Sequence, residues 1–221
     1  MKNERIKQIV IMAMLAALSY VVMIFIRIPV VSFLKYEPKD VIITIGGFMF
    51  GPVSAFLISL VVSIVEMVTV SETGPIGAVM NLISTCAFAC TAAIIYKKMH
   101  NLKGAIIGLV SGVVVMIGVM MLWNYFLTPI YMGYPREAVA AMLPTVFLPF
   151  NAIKGAMNAA ITMLLYKPVV ITLRKAHLIP ESSGAPKTKG QKTGHTVGVI
   201  LASVAVLITG IVLSLVLSGV I

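Results

Sequence analysis

The chain has 221 residues, of which 60% are hydrophobic and only 11% are charged, and its mean hydropathy is +1.06. Soluble domains contain about a quarter charged residues, so a soluble fold of this length could not remove so much apolar surface from water. The net charge of +10 does not indicate a nucleic-acid partner, because the lysines and arginines stand at segment ends and in the tail instead of along a basic stripe. The composition predicts an all-α integral membrane protein in contact with the lipid bilayer.

The apolar segments follow one another closely along the chain. A helix needs about 20 residues to cross the hydrocarbon core of a bilayer. A polar loop of residues 27–39 follows the first segment, and Asp40 is placed to cap the next helix. Proline cannot donate to a helix ladder, so the second segment should break at Gly51-Pro52 into a short and a longer helix, and the last should break near Pro144 or Pro149. The segments cover residues 6–26, 41–70, 76–95, 104–127 and 138–170.

These segments predict a six-transmembrane-helix bundle over residues 1–179. Residues 180–196 are rich in glycine, serine and lysine and predict a flexible linker. Residues 197–221 are apolar again and are long enough for an additional transmembrane helix.

Basic residues indicate the orientation of the bundle. The N-terminus, the cluster from Lys97 to Lys103 and the pair Arg174-Lys175 fall on one side of a six-span arrangement, and the positive-inside rule makes that side cytoplasmic. The first loop departs from the rule, because its basic residues Arg27 and Lys35 lie on the outer side. That loop should therefore have a role other than setting topology.

Polar residues inside the last span are candidates for ligand binding, because the bilayer tolerates them only with partners. Phe147, Asn151, Lys154 and Asn158 are spaced by four, three and four residues, which places them on one helical face. The alternative is that Lys154 extends to the interface and the asparagines only bond neighbouring helices. We favour a ligand-facing strip, since Lys154 lies well inside the segment.

Asn124 is a second candidate, in the run from Trp123 to Phe126 near the outer end of the fifth span. Aromatic residues there are also typical of a belt at the headgroup level. If the fifth and sixth helices are neighbours, Asn124 converges with Asn151 and Lys154. Carboxamides both donate and accept, so the pocket would suit a flat, largely neutral heterocycle.

Other patterns narrow the possible functions. The sequence has no Gly-x-x-x-x-Gly-Lys-Ser/Thr loop, His-Glu-x-x-His helix or nucleophile elbow, so we expect neither an enzyme nor a metal site. A small channel is disfavoured because the polar groups cluster at one end. Glu66 receives no role beyond a polar contact. Small residues at four-residue spacing predict close helix packing, and they are Ala13 and Ala17 in the first span and Gly104, Gly108 and Gly112 in the fifth.

Four short motifs resemble a known family in their order and spacing. They are Phe33-Leu34-Lys35-Tyr36-Glu37-Pro38-Lys39-Asp40, the glycine-rich run 46–52, the turn from Gly74 to Gly77 that leads to Asn81, and Asn151-Ala152-Ile153-Lys154-Gly155. Over about residues 6–178 the chain is similar to the riboflavin-specific substrate-binding (S) components of energy-coupling factor (ECF) vitamin transporters.

The resemblance implies a function and a set of residues for it. Riboflavin, and FMN as a weaker ligand, would bind near the extracellular side under the first loop, at Asn124, Asn151 and Lys154, with Tyr36 and Phe147 also in the site. Ala13 and Ala17 would meet a transmembrane coupling (T) subunit, which acts with two ABC-type ATPases in a bacterial plasma membrane. An S component for another flat vitamin, an intramembrane enzyme and a small channel are the alternatives. Residues 197–221 depart from the family pattern.

Overall fold

The computed structural model describes residues 2–31, 34–71, 73–175 and 193–219, and these residues form a bundle of α-helices with one small hairpin. The helices are α1 Lys2–Phe25, α2 Lys39–Phe50, α3 Pro52–Thr69, α4 Gly74–Met99, α5 Leu102–Met132, α6 Arg136–Met142, α7 Leu148–Lys175 and α8 Thr193–Leu217. The strands are β1 Ile28–Val31 and β2 Leu34–Tyr36.

Six helical stretches in the described part of the chain are long and apolar enough to cross a membrane. They are Glu4–Phe25, Pro52–Thr69, Gly74–Met99, Leu102–Met132, Arg136–Tyr166 and Gly198–Leu217. Helix α2 has only 12 residues, about 18 Å of helix, and it is packed among α1, α3, α4 and α7. The prediction of an all-α membrane bundle is confirmed.

The predicted break between α2 and α3 is confirmed at Gly51-Pro52. Gly51 has a φ of +96°, which a residue with a side chain rarely adopts, and Pro52 occupies the first turn of α3, where no amide donor is needed. The turn brings α3 back against α2, and a Cβ on Gly47 would lie 3.0 Å from the Cβ atoms of Ala55 and Ala93.

The first loop folds as an antiparallel hairpin of β1 and β2, which the sequence analysis did not predict. Ile28 pairs with Tyr36 and Val31 with Leu34, and the register shifts between Pro29 and Val31. The hairpin is followed at once by α2, so its second strand leads directly into the core of the bundle.

The predicted capping role of Asp40 is wrong. Pro38 occupies the N-cap position of α2, and no side chain bonds to the free amides there. Asp40 is the second residue of α2 and is fully buried. Its carboxylate accepts hydrogen bonds from Thr85 of α4 and Asn158 of α7, because a buried charge is costly unless it is paired and hydrogen-bonded.

A π-helical turn, Leu143–Phe147, separates α6 from α7 at the position where the sequence predicted a break. The amide of Leu148 donates to the carbonyl of Leu143, five residues earlier in the chain instead of the four of an α-helix. Pro144 and Pro149 both lack the amide hydrogen that an unbroken α-helical ladder would use. Helix α7 therefore begins a new pattern of backbone hydrogen bonds at Leu148, just before Asn151.

The C-terminal helix α8 packs against α7 and β1. Most of the predicted linker, residues 180–196, lies outside the described residues, and α8 begins at Thr193. The division of the chain at residues 179 and 196 stays a prediction.

The expected close packing of small residues occurs between α4 and α5. A Cβ on Gly108 would lie 2.7 Å from the carbonyl oxygen of Ala92, and one on Gly112 would lie 2.6 Å from that of Phe88. Both contacts are with backbone, which cannot move aside as a flexible side chain could. These two glycines set the distance between the helices.

We expect Gly112→Leu to lower the thermal unfolding midpoint in detergent clearly, since overpacking a fitted contact costs about 1–3 kcal/mol. Gly118→Leu on the same helix is the matched control, because a Cβ there meets nothing within 4 Å. Equal midpoints for the two variants would show that the α4–α5 contact does not depend on Gly112.

Candidate ligand-binding site

A cavity of about 390 Å³ lies beneath the hairpin, between α3, α4, α5 and α7. It is at the end of the bundle opposite the basic cluster that closes α4. We call it the ligand cavity. Its lining is mixed: polar groups from five elements face apolar and aromatic side chains. The lining residues used below are Arg27, Leu34, Lys35, Glu37, Glu66, Asn81, Asn124, Phe147, Phe150, Asn151 and Lys154.

Asn124, Asn151, Lys154 and Phe147 all line the ligand cavity, so the structure brings together four of the five predicted substrate residues. Both asparagines are held by their own helices. The amide nitrogen of Asn124 donates to the carbonyl of Met120 at 2.7 Å, and that of Asn151 donates to the carbonyl of Phe147 at 2.7 Å. These bonds fix the carboxamides before a ligand arrives.

Lys154 is paired with Asp40, the residue for which the sequence predicted a helix-capping role. The ammonium nitrogen of Lys154 lies 3.3 Å from Oδ2 of Asp40. The same carboxylate accepts from the hydroxyl of Thr85 at 2.6 Å and from the amide of Asn158 at 3.2 Å. The aspartate is 0% exposed, so its charge depends on these three partners.

Tyr36, the fifth predicted substrate residue, does not line the cavity. Its hydroxyl lies behind the wall and donates to the side-chain oxygen of Asn158 at 2.9 Å. Burial, and then the charge of Asp40, raise the pKa of the Tyr36 phenol, so the hydroxyl stays a donor at neutral pH. Tyr36 thus joins the hairpin to the partners of Lys154.

Glu66 belongs to a second ionic network that the sequence analysis did not find. Its carboxylate lies 2.5 Å from the ammonium of Lys39 and accepts from the amide of Asn81 at 2.8 Å. Lys39 also lies 3.1 Å from Glu37, whose other oxygen lies 3.1 Å from Nε of Arg27. The network runs from the start of the hairpin across α2 to α3 and α4.

The formal charges of the two networks cancel. Asp40 balances Lys154, and Glu37 with Glu66 balance Arg27 with Lys39. The two networks therefore add no net charge to the cavity wall, and Lys35, which also lines the cavity, adds one positive charge. A wall with so small a net charge suits a ligand without a strong charge of its own.

Ala13 and Ala17 are exposed on α1 and lie outside the ligand cavity. They line an apolar groove of about 450 Å³ formed by α1 and α3, together with residues such as Ile9, Leu57 and Val61. Two small residues one turn apart leave room for another helix to approach closely.

Fold and cavity together define a multi-pass membrane protein that binds a small molecule inside a helical bundle. Residues 7–166 match the family described as "ECF transporter, substrate-specific component", and the chain belongs to that family of transporter subunits. It is therefore not an enzyme.

Curated relatives and a solved structure agree with this assignment. The chain is 30% identical over 178 residues to the riboflavin transporter RibU of Staphylococcus aureus (strain TCH60), covering 76% of this chain and 93% of that protein. It is 27% identical over 190 residues to the riboflavin transporter FmnP of Bacillus subtilis (strain 168), covering 79% and 99%. A solved S component of a bacterial ECF transporter is 29% identical, with a TM-score of 0.66 over 77% of this chain and 99% of that one.

The pair of Asp40 and Lys154 predicts strong non-additivity. Asp40→Asn or Lys154→Met alone leaves one buried charge without its partner, which costs about 3–5 kcal/mol. The double variant removes both charges and should cost clearly less than the sum of the two.

The free energy of unfolding in detergent, measured without ligand for all four proteins, checks this. Losses that simply add would mean that the two side chains do not depend on each other.

Proposed function

We propose that this chain is the riboflavin-binding S component of an ECF transporter and takes up the vitamin from the extracellular side. The observation that carries the proposal is the convergence of Asn124, Asn151 and Lys154 in one cavity beneath the hairpin. The names of the relatives support the choice of riboflavin, since both RibU and FmnP are described as riboflavin transporters.

The cavity wall has the chemistry that an isoalloxazine ring requires. The ring is flat and neutral, with carbonyl acceptors and one N–H donor. Carboxamides such as those of Asn124 and Asn151 match both kinds of group, and the ammonium of Lys154 donates to a carbonyl. Phe147 and Phe150 in the same lining supply aromatic surface for the ring. A wrong ring would leave a buried amide unpaired, at a cost of about 1–3 kcal/mol each.

FMN would be a weaker ligand. Its phosphate adds about −1.5 to −2 charges at neutral pH. The two ionic networks cancel among themselves, and Lys35 in the lining adds a single positive charge, which is less than the phosphate carries.

The proposed transport cycle uses two separate surfaces of the bundle. The N-terminus faces the cytoplasm of a bacterial cell, by the basic residues at that side of the bundle. The apolar groove of Ala13 and Ala17 receives a T subunit, which with two ABC-type ATPases drives a change in the membrane orientation of the S component. The groove lies apart from the ligand cavity, so coupling and binding can be tested independently.

The binding site is tested by Asn151→Leu and Lys154→Met, which we expect to weaken riboflavin binding by about tenfold or more each through lost hydrogen bonds. Titration calorimetry on the purified proteins measures the effect. Thr162→Val is the control, because Thr162 is a buried residue of α7 that does not line the cavity.

Two outcomes would contradict the proposed site. Affinity equal to that of the control would remove the two residues from it. A wild-type protein that co-purifies with a non-flavin molecule, and lacks the yellow flavin absorbance, would mean that the ligand is a different one.

The coupling surface is tested by Ala13→Phe and Ala17→Phe. A bulky side chain fills the groove, so ATP-dependent riboflavin uptake by cells should be abolished while riboflavin binding to the purified protein stays within about twofold. Met14→Phe is the control on the same helix, at an exposed residue outside the groove lining. Loss of binding together with uptake would identify the alanines as internal packing.

A further inference from the structure

Helix α8 lies beyond the part of the chain that matches the transporter family, which ends at residue 166. Even so, it contacts two elements of the bundle, α7 and β1. An appended membrane anchor would need no such contacts, since lipid already solvates an apolar helix.

One face of α8 is built for this contact. Ser203, Leu207, Gly210 and Ser214 are spaced by four, three and four residues, so they share one side of the helix. Three of them are buried and Leu207 is half-buried, whereas the large apolar residues elsewhere on α8 are mostly exposed. Small residues allow close approach in a membrane, where van der Waals packing and not water drives association.

The contact is close at Gly210. A Cβ at this position would lie 2.8 Å from Cγ and 3.2 Å from the sulfur of Met157 on α7. Gly198, about three turns away on the same helix, shows the difference, because a Cβ there meets nothing within 4 Å.

The same face reaches the hairpin through a small apolar core. Val30 and Tyr36 of the hairpin are buried with Phe150, Ile153 and Met157 of α7, and Leu207 of α8 packs against this cluster with Leu34. A two-stranded hairpin is not stable alone, so its position depends on what it packs against. Helix α8 supplies part of that support.

This core borders the ligand cavity directly. Phe150 and Leu34 belong to the core and also line the cavity. Tyr36 belongs to the core and bonds to Asn158, a partner of the carboxylate that pairs with Lys154. The core therefore links α8 to the hairpin at the edge of the cavity.

We propose that α8 braces the first-loop hairpin in its position over the ligand cavity and so slows the exchange of ligand between the cavity and the outside. The brace leaves the apolar groove on α1 and α3 uncovered, since Ala13 and Ala17 are exposed with α8 in place. The part of this proposal that concerns ligand exchange rests on the proposed function. The part that concerns the position of the hairpin does not.

The first experiment measures the hairpin without any ligand. Hydrogen–deuterium exchange at residues 28–36 is followed in the full chain in lipid nanodiscs. Gly210→Leu should raise exchange there by about tenfold, while Gly198→Leu should match the wild type. Leu207→Ala, which removes the packing without a clash, should act in the same direction. Hairpin exchange that is unchanged in both Gly210→Leu and Leu207→Ala would overturn the proposal.

The second experiment measures flavin release and association by fluorescence in the same proteins. Both rates should rise by about tenfold in Gly210→Leu and Leu207→Ala, with Kd changed by less than about threefold, because the brace controls opening of the cavity and not its contacts. A weakened Kd with an unchanged association rate would mean a distorted site wall and would overturn the brace. A wild type that binds no flavin would refute the proposed ligand, while the hydrogen exchange still decides the role of α8.

Discussion

The buried pair of Asp40 and Lys154 is the constraint on which the rest of the site depends. A lone charge in the interior of a membrane bundle is costly, and removing one partner of such a pair costs more than the pair contributes. The pair joins α2 to α7, and Thr85 and Asn158 add α4 and a second position on α7. The cavity wall is thereby fixed by the need to keep one aspartate satisfied.

The second ionic network constrains the hairpin in the same way. Glu37 follows the hairpin and is tied to Arg27 and Lys39, and Lys39 is tied to Glu66 on α3. The hairpin is therefore held by ions on one side and by the apolar core with α8 on the other. The apolar groove on α1 and α3 shares no lining residue with the ligand cavity, so the proposed coupling surface and the proposed binding site lie in separate parts of one small bundle.

Local sequence patterns predicted what depends on local chemistry. Hydropathy and length located the spans, Gly51-Pro52 located a break, and the spacing from Asn151 to Lys154 placed both on one face. Asp40 was misassigned because its position after Pro38 is typical of a helix cap, while its true partners are 45 or more residues away. The hairpin was missed for a related reason: its strands have three or four residues and gain their stability from α7 and α8.

The π-helical turn at Leu143–Phe147 has a consequence for how this chain can change in evolution. Such a turn holds one residue more than the α-helical path needs, and the surplus is confined to a single turn. Loss of one residue there can be taken up by a return to α-helical geometry, with α7 keeping its rotation. Loss of one residue between Asn151 and Lys154 would instead rotate one of them by about 100° relative to the other. The turn can therefore absorb the loss of one residue while Asn151 and Lys154 keep their common face.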